Sequence, residues 1–514
     1  MPEHLRSLVI ILAFAAIVFA FAKAPACALA CSTADFERRR NLWFAITLTA
    51  FLAHNFWIYI IVSAVLLLFV APREPNKLAM YFLVLFAVPA VSAPISGMGV
   101  VQHLFTIHYL RLLALAVLLP AFLFLRRQPN VEPFGRLIPD KLIAGYLILN
   151  LLLQLQFDTI TNTLRIGVFY AFIDVFLPYY VASRALKNLA NFRDALMAFA
   201  VAALVLSAVA AFEFAKHWLL YTALEDALGV PWGTSIYLRR EGSLRAQGST
   251  GQPIPLGYVM AVAMGFFLYL RKSVPSPTVW MVGLAALIVG LIVPLSRGPW
   301  VGAAAMVLVF LATGPNAIRR FATLGALGAI ALPLVLVSPA GPAIIDHLPF
   351  VGTIQAENIT YRERLLEISV QIILQNPFFG TVDAKQLSEM QELRQGQGII
   401  DVVNTYVGIA LGSGLVGLSL FAGFFVSVAV GIFKGMTNLT DRHGEPYLLG
   451  QVLLSTLLGI LLIIFTVSSI SVIPVVYWSV AGLGVAYARM LALAKAPETA
   501  RPAGYRAAAT RIGA

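Results

Sequence analysis

Long apolar runs recur from one end of this chain to the other, and they constrain its fold more than any other feature. Runs of roughly 17–25 residues are long enough to cross a bilayer as helices, and the segment 279–296 is one example. The chain is 60% hydrophobic and 12% charged, whereas a soluble domain is about 45–50% apolar and about 25% charged. The pattern predicts an all-α polytopic membrane protein with about 12–15 transmembrane helices. It lacks the alternating segments of about ten residues that are typical of a membrane β-barrel.

Much of the positive charge lies in short loops between the apolar runs. These loops contain Arg126–Arg127, Arg184 with Lys187 and Arg193, Arg271–Lys272, Arg319–Arg320, Lys434 with Arg442, and the tail after Arg489. Short basic loops stay in the cytoplasm under the positive-inside rule. The net charge of +12 therefore indicates a lipid bilayer, and not a nucleic acid, as a partner of the chain.

This orientation divides the chain into segments. They are N-terminal membrane helices of open topology (1–71), a transmembrane bundle (72–338) with an outer loop at 215–251, a large outer loop (339–403), C-terminal transmembrane helices (404–492) and a basic cytoplasmic tail (493–514). We expect a bundle helix over 77–95. A short apolar hairpin is expected over 41–71, because the adjoining Arg38–Arg40 favours the cytoplasm. The alternative is a signal peptide that ends at Ala28–Ala30, which would place those arginines outside.

The sequence contains two cysteines, Cys27 and Cys31. Two residues cannot define a disulfide framework, and the sequence has no Cys/His cluster with the spacing of metal ligands. We therefore expect no metal ion and no other cofactor.

Arg297 lies in LSRGPWVG (295–302), between two apolar runs that have no other charge. An arginine in or beside the bilayer costs a few kcal/mol or more, so it usually has a partner or a function. The topology places Arg297 at the outer surface. It is either a residue that contacts a ligand or an interfacial anchor whose charge reaches out to water.

Two further segments with arginines are expected at the same surface. Arg245 begins a glycine-rich stretch (RAQGSTGQP) that enters a span, where backbone N–H groups favour anions. Arg362 and Arg364 begin an amphipathic helix in YRERLLEISVQIILQNPFFG (361–380). Its apolar face is expected to consist of Leu365, Leu366, Ile368, Ile372 and Ile373. Arginines at a helix N-terminus oppose the macrodipole unless an anion compensates. This indicates an external anion, and pairing with a glutamate such as Glu367 is the alternative.

The large loop returns to the membrane in IIDVVNTYVGIALGSGLVGLSLF. Asp401 and Asn404 are polar groups at the start of that span, and they act either on a substrate or as helix caps. Glu213, near the outer end of an earlier span, is expected to pair with Lys216 or His217. Several outer arginines with few carboxylates together predict the binding of a polyanionic lipid headgroup, because guanidinium forks bind phosphate oxygens.

The order of these motifs resembles the O-antigen ligase and O-antigen polymerase superfamily. The matching fragments are SRG at the outer end of a span, an R-x-R helix that ends in NPxxG within a large outer loop, NTY followed by GSGLVGLSLF, and RAQGSTGQP before a span. The resemblance covers about 240–470, and the upstream spans by topology alone. It implies a bacterial inner-membrane glycosyltransferase with a GT-C-like fold and an active site on the periplasmic side.

The resemblance implies a donor glycan linked to undecaprenyl diphosphate and an acceptor glycan, with no nucleotide sugar and no metal. A protein that regulates chain length is a further expected partner. The arginines would stabilise the negative charge of the leaving group. The expected diphosphate-binding residues are Arg245, Arg297, Arg362 and Arg364. The expected catalytic residues are Arg297, Arg364, Asp401 and Asn404.

One position departs from the family pattern. Ligases of this family have His-Asn where this chain has Val403 and Asn404, and valine cannot carry a proton. The groups left as candidates for a base are Asp401, Glu363, Glu367 and His347. The missing histidine favours a polymerase of exopolysaccharide or O-antigen repeat units. A ligase that transfers glycan to lipid A core or to protein is the alternative. A transporter of lipid-linked glycans is less favoured, because the charge gathers at one surface and not at the membrane midplane.

Overall fold

The computed structural model describes residues 1–97, 99, 103–230, 236–240, 242–272, 274, 276–337, 356–394 and 400–495, and these residues are mostly helical. In chain order the helices are α1 (Glu3–Leu29), α2 (Thr33–Leu52), α3 (Phe56–Val70), α4 (Lys77–Val84), α5 (Tyr109–Leu125), α6 (Ile138–Gln154), α7 (Ile160–Ala185), α8 (Leu189–Lys216), α9 (Leu224–Leu228), α10 (Pro253–Tyr269), α11 (Pro277–Ile292), α12 (Arg297–Ala312), α13 (Ala317–Val337), α14 (Ala356–Gln375), α15 (Ser388–Gln391), α16 (Thr405–Thr437), α17 (Glu445–Thr466) and α18 (Ile473–Lys495). The predictions for His347 and for the tail from 496 onward lie outside the described residues.

Eight helices of the described part of the chain are long and apolar enough to cross a bilayer. They are α1, α3, α7, α8, α10, α16, α17 and α18, and shorter apolar helices are α5, α11 and α12. The predicted class, an all-α polytopic membrane protein, is confirmed. Fewer helices than the about 12–15 expected reach spanning length, because several apolar runs form helices of fewer than 18 residues or are divided between two elements.

The apolar run over 77–95 does not form the single helix expected from its hydropathy. Helix α4 ends at Val84, and an antiparallel hairpin follows. Its strands are β1 (Ser92–Ser96) and β2 (His103–His108), and a second hairpin consists of β3 (Arg239–Arg240) and β4 (Ser243–Leu244). Pro89 and Pro94 lie within the run, and proline lacks the N–H that would continue a helix. The expected helix over 77–95 is therefore wrong in its second half.

Helix α10 lies at the centre of the bundle, where it packs against α8, α11, α12 and α17. Nearly all of its residues are buried, which explains why it is apolar on every side and not amphipathic. By contrast, α1 and α3 bury one face and expose apolar side chains such as Phe21 and Phe69. Exposed apolar faces of this kind are expected on helices that contact lipid.

The basic loops meet at one end of the bundle, which we call the basic end. Arg193 forms an ion pair of 2.9 Å with Glu445, and Lys272 Nζ donates a hydrogen bond of 2.8 Å to the carbonyl oxygen of His443. Three loops that the charge pattern assigns to the cytoplasm are therefore in contact with one another.

Buried ion pairs stabilise the basic end. Arg39 contacts both Glu74 and Asp194 at 2.6 Å, and Arg184 contacts Asp140 at 2.6 Å with both side chains fully buried. Removing one partner of a buried pair costs about 3–5 kcal/mol, because the other charge stays buried. Since Arg39 belongs to α2 and Asp194 to α8, this pair fixes the N-terminal helices to the rest of the bundle.

Segments expected outside contact one another in pairs at the opposite end, which we call the outer end. Arg165 donates from Nη1 to the carbonyl oxygen of Leu104 at 2.6 Å, which joins the start of α7 to β2. Ser471 donates from Oγ to the carbonyl oxygen of Thr250 at 3.2 Å, which joins the turn before α18 to the loop before α10. The outer end contains the residues that the sequence singles out.

Candidate functional site

Two arginines of the β3–β4 segment bind the turn between α11 and α12. Arg245 donates from Nε to Pro294 O at 3.0 Å and from Nη2 to Ser296 Oγ at 2.8 Å. Arg240 donates to the carbonyl oxygen of Leu295. Leu295 has a φ of 50°, and the left-handed conformation costs a residue with a Cβ roughly 1–2 kcal/mol. The hydrogen bonds from the two arginines therefore stabilise a strained turn.

This turn brings Arg245 next to the start of α12, whose first residue is Arg297. Both side chains are half-buried. Burial, followed by repulsion from the Arg240 guanidinium, lowers the pKa of Arg245 to about 10, so this side chain remains a cation at neutral pH. Among the described residues, no carboxylate lies within ion-pair distance of Arg245. A half-buried cation that contacts only neutral groups favours an anionic ligand.

The loop after Arg245 is shaped by the buried carboxylate of Glu213. Glu213 Oε2 accepts hydrogen bonds from the backbone N–H of Gln247 at 3.0 Å and of Gly248 at 2.8 Å. Its Oε1 accepts from the backbone N–H of Leu220 at 3.1 Å. Buried polar groups need such partners. The ion pair with Lys216 or His217 that the sequence predicts is therefore wrong. Backbone N–H groups, and not those cations, bind the carboxylate.

A short polar segment between α17 and α18 connects the parts of the candidate site. We call it the serine turn (residues 467–471, VSSIS). Ser468 Oγ lies within hydrogen-bond distance of an oxygen of the Asp401 carboxylate and, at 2.7 Å, of Val402 O. The hydroxyl of Ser471 contacts the loop that follows Arg245. These serines belong to none of the motifs described above. The signal was present, because three hydroxyl groups within five residues separate two apolar runs.

The serine turn also adjoins the start of α12. A Cβ added to Gly298 would overlap the hydroxyl of Thr466 and would lie 3.3 Å from the side chain of Val467. Thr405, the first residue of α16, donates its backbone N–H to Val467 O at 3.1 Å. The segments that carry Arg297 and Asp401 thus contact the same turn from two sides.

Helix α14 contacts this assembly through an apolar face. Leu365, Ile368 and Ile372 are buried, as expected from their spacing. Leu366 was expected on the same face, but its side chain is 51% exposed, because it lies 100° away from Leu365 around the helix axis. The buried cluster also contains Ala384, Met390, Leu393, Val402 and Leu411, with Val403 packed against it.

Arg362 and Arg364 face different surroundings. A separation of two residues turns the helix by about 200°, so the two side chains leave opposite sides of α14. The protein around Arg362 lowers its pKa by desolvation, and the Asp401 carboxylate opposes this shift. Arg364 is exposed and pairs with Glu367 at 2.8 Å and Glu392 at 3.7 Å, and the hydrogen bond to Glu367 raises its pKa. Tyr361, the residue before Arg362, donates its hydroxyl to Asp401 O at 3.1 Å, so the start of α14 lies beside Asp401, whereas Arg364 forms exposed ion pairs.

Asn404 is the N-cap of α16. Its Oδ1 accepts from the backbone N–H groups of Tyr406 at 2.9 Å and Val407 at 3.2 Å, which is the capping role that the sequence left open. Capping uses the side-chain oxygen and leaves the amide nitrogen as a hydrogen-bond donor.

The two motifs NPFFG and GSGLVG pack directly against each other. Helix α16 is interrupted at Gly414, which has a φ of 63°. The interruption frees the N–H groups of the next two residues, and these donate to Pro377 O at 2.8 Å and Phe378 O at 3.2 Å. Backbone groups released at membrane depth need partners of this kind. The loop after α14 is therefore joined to α16 by backbone hydrogen bonds.

The candidate site therefore combines Arg245 and Arg297 at the turn between α11 and α12 with Asp401 at the serine turn, and the start of α14, which carries Arg362, contacts Asp401 through Tyr361. The part of the chain that the structure describes has no group of three or more His, Cys, Asp or Glu residues that could hold a metal ion. The available chemistry is that of cations, a carboxylate, hydroxyl groups and backbone amides.

Residues 281–422 match the family model described as O-antigen ligase. Over this segment the match confirms the resemblance to the O-antigen ligase and polymerase superfamily. It extends from α11 into α16 and includes Arg297, Arg362 and Asp401, whereas Arg245 lies upstream of it. No curated protein matches the chain.

Proposed function

We propose that this chain is a glycosyltransferase that polymerises oligosaccharide repeat units linked to undecaprenyl diphosphate into exopolysaccharide or O-antigen. The observation that carries the proposal is the position of Arg245. Its half-buried guanidinium contacts Ser296, the residue before Arg297, and its hydrogen-bond partners are neutral. The turn that it contacts belongs to the segment that matches the O-antigen ligase model. A diphosphate is the part of the donor that would supply the missing negative charge.

In the proposed reaction, a hydroxyl oxygen of the acceptor glycan attacks the anomeric carbon of the donor. The bond between that carbon and the diphosphate oxygen breaks, and undecaprenyl diphosphate leaves with the electron pair. Arg245 and Arg297 would stabilise the charge that develops on the leaving oxygen, because preorganised donors act most strongly where charge forms in the transition state. Arg362 is assigned to the diphosphate as well, and Arg364 remains a prediction from the motif alone.

We assign the proton of the attacking hydroxyl to the carboxylate of Asp401. Ser468 positions this carboxylate through its hydroxyl, and Arg362 lies close enough to influence it. Val403, which replaces the family histidine, packs against the apolar cluster of α14 and cannot accept a proton. A base must come within about 3 Å of the proton that it takes. Asn404 would then contribute its amide nitrogen to substrate binding.

We further propose that the chain lies in a bacterial inner membrane with the outer end in the periplasm. The contacts among the basic loops at the opposite end support this orientation, because such loops remain in the cytoplasm. Undecaprenyl-linked glycan, acceptor glycan and the bilayer are the partners of this proposal, and a chain-length regulator remains a prediction.

A ligase that transfers finished glycan to lipid A core or to protein is the second candidate. The description of the matching family model, O-antigen ligase, favours it. The valine at position 403 argues against it, because the resemblance assigns the acceptor chemistry of the ligases to a histidine there.

The test uses a deletion strain complemented with wild type, Arg297→Ala, Asp401→Asn or Arg442→Ala. Arg442 is exposed at the basic end and serves as the control for loss of one positive charge. We expect long chains from wild type and the control, and single repeat units from the other two variants. Full-length polymer that stays on its lipid carrier in the deletion strain would support the ligase instead. An identical chain-length profile in every strain would contradict both functions.

A further inference from the structure

A second feature lies at the basic end, far from the serine turn. An open cavity of about 800 Å³ is lined by the segment 129–139 at the start of α6, by α16 and by α18. It opens at the surface where the basic loops lie. Neither the proposed reaction nor the match to the family uses it, because the residues of the candidate site belong to the outer end.

The polar side of this cavity is formed by three cations and one carboxylate: Arg136, Lys434, Arg489 and Glu132. The Glu132 carboxylate accepts a hydrogen bond from Arg489 at 3.3 Å, and this ion pair neutralises the negative charge that lines the cavity. Arg136 and Lys434 are exposed. Within the described part of the chain, no carboxylate lies within ion-pair distance of either side chain. The rim of the cavity therefore keeps two positive charges that no described group neutralises.

The other wall of the cavity is apolar. Ile138 is 67% exposed and Val430 is 43% exposed, although both line the cavity. Small residues on α16 and α18 leave the space open: a Cβ added to Gly431 would lie 3.6 Å from the Cβ of Ala488, with no other atom in contact. An apolar wall beside a basic rim matches a molecule with an anionic headgroup and a hydrocarbon chain.

We propose that this cavity binds an anionic phospholipid, with its phosphate at Arg136 and Lys434 and an acyl chain along the apolar wall. A free phosphate ion would leave that wall without a partner. The tail of the chain itself is unsuitable, because residues 496–514 carry three arginines and one glutamate, and the basic rim would repel them. Anionic lipids are attracted to basic pockets between membrane helices on the cytoplasmic side, which agrees with the position of the cavity among the basic loops.

The experiment measures lipid retained by the purified full-length protein. Protein reconstituted in bilayer discs of phosphatidylglycerol and phosphatidylcholine is transferred to detergent, and bound phosphatidylglycerol is counted by native mass spectrometry. The test variant is Arg136→Gln/Lys434→Gln. The matched control is Arg319→Gln/Arg442→Gln, which removes two exposed positive charges from the same end. Wild type and control should retain at least one phosphatidylglycerol that the test variant loses, with at least fivefold lower occupancy in the variant.

A second variant tests the apolar wall. Ala492 lines the cavity and is exposed, so Ala492→Phe should fill the space without removing a charge or a buried contact. We expect the same loss of phosphatidylglycerol, with unchanged elution in size-exclusion chromatography. Equal retention by wild type and by both test variants would overturn the proposal. Displacement of the lipid by millimolar inorganic phosphate would also overturn it, because it would identify a simple anion site. Since the readout is binding, the result does not depend on glycosyltransferase activity.

Discussion

Arg245 donates a hydrogen bond of 2.8 Å from Nη2 to the hydroxyl of Ser296, the residue that precedes Arg297. This bond joins a loop before α10 to the turn between α11 and α12. Through this bond the first arginine positions the turn from which the second one projects, and the proposed function assigns both arginines to one diphosphate.

The replacement of Arg245 by alanine removes a charge and both hydrogen bonds to this turn. We expect polymer formation to fall by about 10²-fold or more, the scale on which loss of one preorganised donor acts. Ser296→Ala is the control, because it removes the hydroxyl that accepts from Arg245 and donates to Pro294 O, two hydrogen bonds worth about 1 kcal/mol each, and leaves the guanidinium in place. Initial rates with a lipid-linked donor measure the difference. Equal rates for Arg245→Ala and Ser296→Ala would show that the charge itself has no role.

Glu213→Gln tests the loop that follows Arg245. The carboxylate accepts three backbone hydrogen bonds, whereas glutamine has one acceptor oxygen and presents N–H groups to N–H donors. An unsatisfied buried donor costs about 1–3 kcal/mol, so we expect a lower Tm and reduced activity. Asp226→Asn, an exposed carboxylate in the short helix α9, should change neither. A Glu213→Gln protein with wild-type Tm would contradict the positioning role.

Gly414→Ala tests the contact between the loop after α14 and the interruption of α16. Gly414 has a φ of 63°, and an added Cβ would overlap the backbone of Phe378. The left-handed conformation alone costs about 1–2 kcal/mol, so we expect a clear loss of stability together with activity. Gly412→Ala is the control, because nothing lies within 4 Å of its added Cβ and alanine favours a helix. Thermal unfolding in detergent should separate the two variants, and equal Tm values would be evidence against the packed interruption.

Cys31 gives a prediction with a defined pH dependence. Burial, followed by the Asp194 carboxylate, raises the pKa of its thiol to about 12, compared with about 8.5 for an ordinary cysteine. In a Cys27→Ser background, alkylation by N-ethylmaleimide at pH 8 should be about 10³-fold slower in the native protein than after denaturation, because the thiolate is the nucleophile. Since the folded pKa is raised, the stability from the neutral thiol is complete below about pH 8.5 and is lost as the pH rises towards 12. Equal native and denatured rates would contradict this environment.

Local contacts were predictable from the sequence, and distant ones were not. The ion pair between Arg364 and Glu367 follows from their spacing on one helix, and the cap formed by Asn404 follows from its place before an apolar run. The contact of Ser468 with Asp401 spans 67 residues, and such contacts depend on how the helices pack. The apolar pattern has a similar limitation. It indicates which segments are apolar enough to be buried, but not whether two prolines will end a helix inside such a segment.

The order of the motifs does not determine which residues of the candidate site lie together. Motif order assigned Arg362 and Arg364 to one anion, but the helix turns by about 200° between them. Only the packing of α14 determines the surroundings of each arginine. The serine turn is hard to recognise in the sequence, because short hydroxyl-rich segments between apolar runs resemble ordinary loops. Its importance depends on the elements that surround it in space.

The most direct test of the central claim uses purified protein in bilayers that contain undecaprenyl-diphosphate-linked repeat units as the only glycan. Products are released from the lipid and their lengths are measured by mass spectrometry for wild type, Arg297→Ala and Arg442→Ala. The proposed function predicts dimers and longer chains with release of undecaprenyl diphosphate for wild type and Arg442→Ala, and unreacted single units for Arg297→Ala. Chains of equal length from Arg297→Ala and wild type would contradict the role assigned to that arginine, and single units from every protein would contradict polymerisation.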